Sequence, residues 1–207
     1  MLFNEGRQDA CAPSALTIMD AFGYVSVIIS VVIGLGLSHL LTGVVELFKA
    51  RRRVRFYWVH LVWVVLTFVG HIFLWWTMWN LRLVHAWNFF SFLLLLLGPV
   101  LLYVAAAFLV PDMDAAASID LREYFYENHA AYFSINAAFT ALLVTQNWIL
   151  VGHPSPPRVT AIFAVWFVLL CLSAIIKNPR YHAAVGVLFV LLFLMFIVLF
   201  GLRLSGT

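Results

Sequence analysis

The run from Arg51 to Arg82, RRRVRFYWVHLVWVVLTFVGHIFLWWTMWNLR, leaves few folds open. Lys49, Arg51, Arg52, Arg53 and Arg55 precede an apolar stretch that Tyr57 and Trp58 open and Trp75, Trp76 and Trp79 close. Cations meet anionic headgroups and amphipathic rings settle at the interface, so a basic flank with paired aromatic belts marks a helix anchored across a bilayer. Trp58 and Trp76 are eighteen positions apart, about 27 Å of helix and close to the thickness of the hydrocarbon core. His60, Thr67 and His71 sit between the belts. At 100° per residue Thr67 and His71 fall about 20° to either side of His60, so the three form one narrow polar stripe inside lipid.

The rest of the chain repeats this character. Of 207 residues 65% are hydrophobic and 10% charged, where a soluble domain has about 45–50% and 25%; the mean hydropathy is +1.02. The apolar runs are continuous and do not alternate with period two, which excludes a transmembrane β-barrel. The expected fold is an all-α integral membrane protein, a single domain over 1–207 built as one bundle of about six transmembrane helices. The spans are expected near 24–48, 56–81, 87–110, 130–151, 160–176 and 183–204. An exposed tail covers 1–13, and an acidic loop carrying a short helix covers 111–129.

The net charge of +3 does not argue for nucleic acid. Five of the twelve Lys and Arg crowd the connection after the first span, where they set topology, and no soluble basic domain exists to bind a polyanion. Eight of the twelve fall in the connections after spans one, three and five. The positive-inside rule then puts both termini outside the cytoplasm, in a bacterial inner membrane. Cys11 and Cys171 lie in the tail and deep in a span, too far apart to pair, and Cys171 reads as a small apolar packing residue.

Two spans carry most of the polarity besides the opening stripe. In the first, Gly36, His39, Gly43 and Glu46 share a face about 80° wide, with Thr42 beside it; small residues there admit a neighbouring backbone. In the fourth, Asn136, Thr140 and Asn147 fall within about 40° of one another, with Tyr132 at the edge and Gln146 further round. The third span contains Gly98-Pro99, and the last two are nearly pure hydrocarbon and read as scaffold. In the acidic loop, Asp120 followed by Glu123 resembles a capping box and starts a helix that runs on toward the fourth span. Asp120, Glu123 and Glu127 share a helical face, a weak candidate for a divalent metal with His129 nearby. By topology this loop lies on the same side as the arginines, which allows ion pairing between the two.

No Walker loop, dinucleotide fingerprint, HExxH or CxxC is present, and Ser38-His39 are neighbours that cannot face each other on a helix. Without a nucleophile and base, a non-enzymatic role is expected. The leading expectation is a small channel or transporter for a proton, ion or small polar solute, its path lined by His39, Thr42, His60, Thr67, His71, Asn136, Thr140 and Asn147. The alternatives are a non-catalytic membrane subunit or assembly factor, with the stripes as interhelical glue, and a redox module holding haem or a metal through His39, His60 and His71. His60 and His71 are about 16 Å apart along the axis, so the two cannot grip one haem together and any haem would need His39 opposite one of them; no cofactor is predicted, with haem or a metal ion as the weaker alternative. Partners are the lipid bilayer and either further copies of the chain or another membrane subunit.

Overall fold

The computed structural model describes residues 21–79, 88–112, 118–151 and 156–201. The expected 1–13 tail with Cys11, the connection between the second and third expected spans, and part of the acidic loop lie outside them. Six helices are long and apolar enough to cross a membrane: α1 Ala21–Lys49, α2 Trp58–Thr77, α3 Phe89–Ala107, α4 Leu121–Val151, α5 Pro157–Ile175 and α6 Pro179–Phe196. They form the all-helical architecture of a multi-pass membrane protein. A π-helical turn, Ile197–Gly201, extends α6.

The ends follow local chemistry. Asn88 and Asn178 stand at N-caps and accept from the backbone N–H groups of Ser91 (2.8 Å) and Arg180 (2.9 Å), satisfying donors that the first turn leaves orphaned. Pro157 and Pro179 occupy first-turn positions, where a missing N–H costs nothing. The helix expected to start at Asp120 runs on through the fourth span as one continuous 31-residue helix, α4. Its start is the Asp120 cap: Oδ1 accepts from Arg122 N at 2.9 Å and Glu123 N at 3.4 Å.

The connections after α1 and α3 meet in a two-residue parallel pairing of β1 (Val54–Arg55) with β2 (Ile119–Asp120), in register Val54 to Ile119 and Arg55 to Asp120. This clip brings the basic and acidic connections together, and Arg55 Nη1 lies 3.1 Å from Asp120 Oδ2. Leu47, Val54 and Leu121 are buried beneath it. Asp120 therefore pairs in the sheet, caps α4 and binds an arginine. Asp120→Ala is expected to cost about 1 kcal/mol through the lost cap, and Arg55→Ala less, because an exposed ion pair contributes about 0–1 kcal/mol. Thermal unfolding of the purified variants in detergent checks the order.

The core is centred on α2. The Trp63 ring meets Phe133 (centroids 4.8 Å apart) and Tyr132 (5.9 Å) on α4 and Phe189 (5.2 Å) on α6, all edge-on, the arrangement that aromatic quadrupoles favour. A second buried cluster joins Val25, Ile29 and Ile33 of α1 to Leu74, Leu95 and Leu102 of α2 and α3. Large apolar side chains such as Val165 and Val168 on α5 and Leu191 and Leu194 on α6 remain exposed, as outward faces bathed in hydrocarbon require.

Candidate functional site in the bundle interior

The polar stripe of α2 faces inward: His60 and His71 are fully buried and Thr67 nearly so. Each is held by a backbone carbonyl. His60 Nε2–H donates to the Leu109 carbonyl at the end of α3 (2.8 Å). His71 Nδ1–H donates to the carbonyl of Thr67 one turn back (2.8 Å). The Thr67 hydroxyl donates to the Trp63 carbonyl (2.8 Å) and, its proton so used, accepts from the Tyr132 hydroxyl of α4 at 2.8 Å. A carbonyl oxygen only accepts, so these bonds place a proton on His60 Nε2 and on His71 Nδ1. The remaining nitrogens, His60 Nδ1 and His71 Nε2, are buried with no hydrogen-bond partner among the described residues.

The first-span face behaves differently. A Cβ on Gly36 would lie 2.3 Å from His71 Nε2, and one on Gly43 would lie 2.4 Å from Val110 Cγ1. The two glycines are sockets for side chains of the neighbouring helices, a use of small residues that the sequence pattern points to. His39 is half-buried and packs its ring on Tyr103 of α3 (centroids 5.9 Å); its Nε2 is buried and unpartnered. Thr42 and Glu46 are exposed. No hydrogen bond or ring contact joins His39, His60 and His71 to one another.

On α4 the expected amide stripe divides. Asn136 Nδ2 donates to the Tyr132 carbonyl and Thr140 Oγ1 to the Asn136 carbonyl, both at 2.9 Å and both within the helix. Asn147 instead borders a cavity of about 350 Å³ between α2, α3, α4, α5 and α6. Gly70, Phe73, Phe139, Gln146 and Trp166 border it too. Gln146, which lies off the Asn136–Thr140 stripe, is 7% exposed and donates its amide N–H to the Leu94 carbonyl of α3.

A further cluster, to which neither polar stripe points, lies near the clip. His182 is fully buried at the start of α6, donates Nε2–H to the Ile176 carbonyl (2.8 Å) and keeps Nδ1 unpartnered. Its ring stacks on Phe133 (5.3 Å) and meets His129 of α4 edge-on (5.7 Å); the Tyr57 and Tyr126 hydroxyls are 3.2 Å apart alongside. The signal for it was the adjacency of Tyr181-His182 to the Asn178-Pro179 helix start, which tucks the first turn of α6 against α4.

As for metal ligation, Asp120 is committed to the clip and the α4 cap, while Glu123 and Glu127 point outward as exposed residues. Among the described residues no three His, Cys, Asp or Glu side chains converge on one point. Compared with known proteins, the chain matches no family model, no curated protein and no solved structure.

Proposed function

We propose that this protein is a small membrane transport protein, a channel or carrier that moves a proton, ion or small polar solute past the buried face of α2. The observation that supports this is the state of the imidazoles: His60 and His71 each give one N–H to a carbonyl and keep the other nitrogen unpartnered in an apolar interior. Nitrogens so placed are proton or hydrogen-bond acceptors without a competing protein donor, and an intramembrane ionisable group is retained against its desolvation cost when it serves a path. In this reading His39, Thr67, Asn136, Thr140 and Asn147 supply the remaining polar contacts, and Thr42 lies at the margin. The protein sits in a bacterial inner membrane with both termini outside the cytoplasm, assembled with further copies or another membrane subunit.

Reconstitution into proteoliposomes with an internal pH dye tests it. The double variant His60→Gln, His71→Gln is expected to lower proton or coupled-solute flux by roughly an order of magnitude or more, the scale of losing a positioned proton acceptor. Flux equal to that of the parent protein sinks the proposal.

A second reading, a non-catalytic subunit, draws on the clip. Arg55 is engaged with Asp120, whereas Arg52 stands exposed beside it and the Arg51 guanidinium rests on the Phe48 ring 5.2 Å away, a cationic ledge suited to an acidic partner. Stoichiometric co-purification of a second protein, lost in Arg51→Glu, Arg52→Glu, separates this reading from the first.

A further inference from the structure

The cavity beside Asn147 has a chemistry distinct from the stripe. It measures about 350 Å³ and is walled by Phe73, Phe139 and Trp166, with Gln146 and Asn147 as its amides. No charged side chain borders it among the described residues. Its size is at the low end for small-molecule sites, enough for a compact ring system and far short of a two-chain phospholipid. Aromatic walls favour a flat, ring-bearing guest, which they contact edge-on or offset. An ionised guest is disfavoured, because nothing there offsets the desolvation of a charge.

The amides define the guest's polar end. Gln146 is 93% buried by its 7% exposure, and its N–H is spent on the Leu94 carbonyl. Its side-chain carbonyl oxygen, the other half of the amide, is bonded to no described residue, and at the border of the cavity it is open to a donor from a guest. We infer that the cavity is a binding site for an uncharged, ring-bearing amphipath that enters from the bilayer and donates a hydroxyl to Gln146 Oε1, a lipophilic phenol or alcohol. This site goes beyond the flux reading and does not depend on it.

Two glycines supply a controlled test. A Cβ on Gly70, which borders the cavity, meets no heavy atom within 4 Å, and the same holds for Gly34, which is exposed on α1. The first carbon of a larger side chain therefore meets open space at either position, but only at Gly70 does that side chain grow from the cavity wall. Naphthol, its methyl ether and naphthalene sulfonate are titrated calorimetrically into the full chain in lipid nanodiscs, with empty nanodiscs subtracted. The parent protein and Gly34→Leu are expected to bind naphthol saturably, and the methyl ether, lacking the donor, about three- to tenfold more weakly, the scale of one neutral hydrogen bond. The sulfonate is expected not to bind, and Gly70→Leu to lose at least about tenfold in naphthol affinity. Absence of saturable naphthol binding to the parent, equal affinity for naphthol and its ether, or undiminished binding to Gly70→Leu overturns the site. The naphthol and ether comparison uses the parent protein alone, so it decides even if Gly70→Leu fails to fold. Because His60 and His71 do not border the cavity, their glutamine variants leave naphthol binding unchanged, and the outcome is separable from that of the flux assay.

Discussion

Gly36→Val is expected to detach α1 from α2 and to be the most damaging single substitution at the first helix. The added Cβ alone would stand 2.3 Å from His71 Nε2, well inside contact distance, and the valine methyls extend the clash. His71 has little freedom to retreat, since it is fully buried and its other nitrogen is bonded to the Thr67 carbonyl. Overpacking of this kind costs about 1–3 kcal/mol or more when the neighbour cannot move. The specific signature is compensation. His71→Ala empties the volume that the valine needs, so the double variant Gly36→Val, His71→Ala is expected to be more stable than Gly36→Val alone. Contacting residues couple by about 0.5–3 kcal/mol in such a cycle. Reversible unfolding in mixed micelles measures it, and strict additivity of the two substitutions contradicts the socket geometry.

Trp63→Ala is expected to cost about 3–5 kcal/mol, the range for removing a buried Trp or Phe. Trp63 is 2% exposed, and its ring touches both α4 and α6 through Tyr132, Phe133 and Phe189. In hydrocarbon the loss is of dispersion contacts more than of hydrophobic burial, because lipid tails are as apolar as the core. Trp63→Phe retains part of the edge-on contact and is expected to lose about half as much. If Trp63→Ala unfolds within about 1 kcal/mol of the parent, the three-helix junction is not the centre of the bundle.

Much of the architecture was legible because bilayer physics acts on composition. Twenty apolar residues between a basic flank and an aromatic belt have only one economical conformation, and the Asp120 cap announces its helix locally, whereas the Asn178 cap, which starts α6 at Pro179, reads in the sequence as connection. The inward stripe of His60, Thr67 and His71 was likewise visible from 100° spacing alone. What these side chains meet was not. The carbonyl of Leu109 reaches His60 from another helix, and Gly36 opposes His71 because of how α1 crosses α2; both depend on crossing angles that no periodicity encodes. The cavity is harder still, since five helices contribute to it and its amide Gln146 lies off the stripe that draws the eye. His182 is a similar case: a residue at a helix end reads as interfacial until the neighbouring helix is seen to cover it.

The clip near the arginines also constrains the order of events during synthesis. Val54 and Arg55 emerge early, but their backbone partners at Ile119 and Asp120 are separated from them by two whole membrane crossings. Chains insert N-terminal segments first, so the first hairpin waits with an unpaired edge until α3 has crossed and α4 begins. Only then do pairing and the Arg55–Asp120 contact close one end of the bundle. Closing the clip therefore requires α2 and α3 to be in place, with the two connections brought to the same end of the bundle.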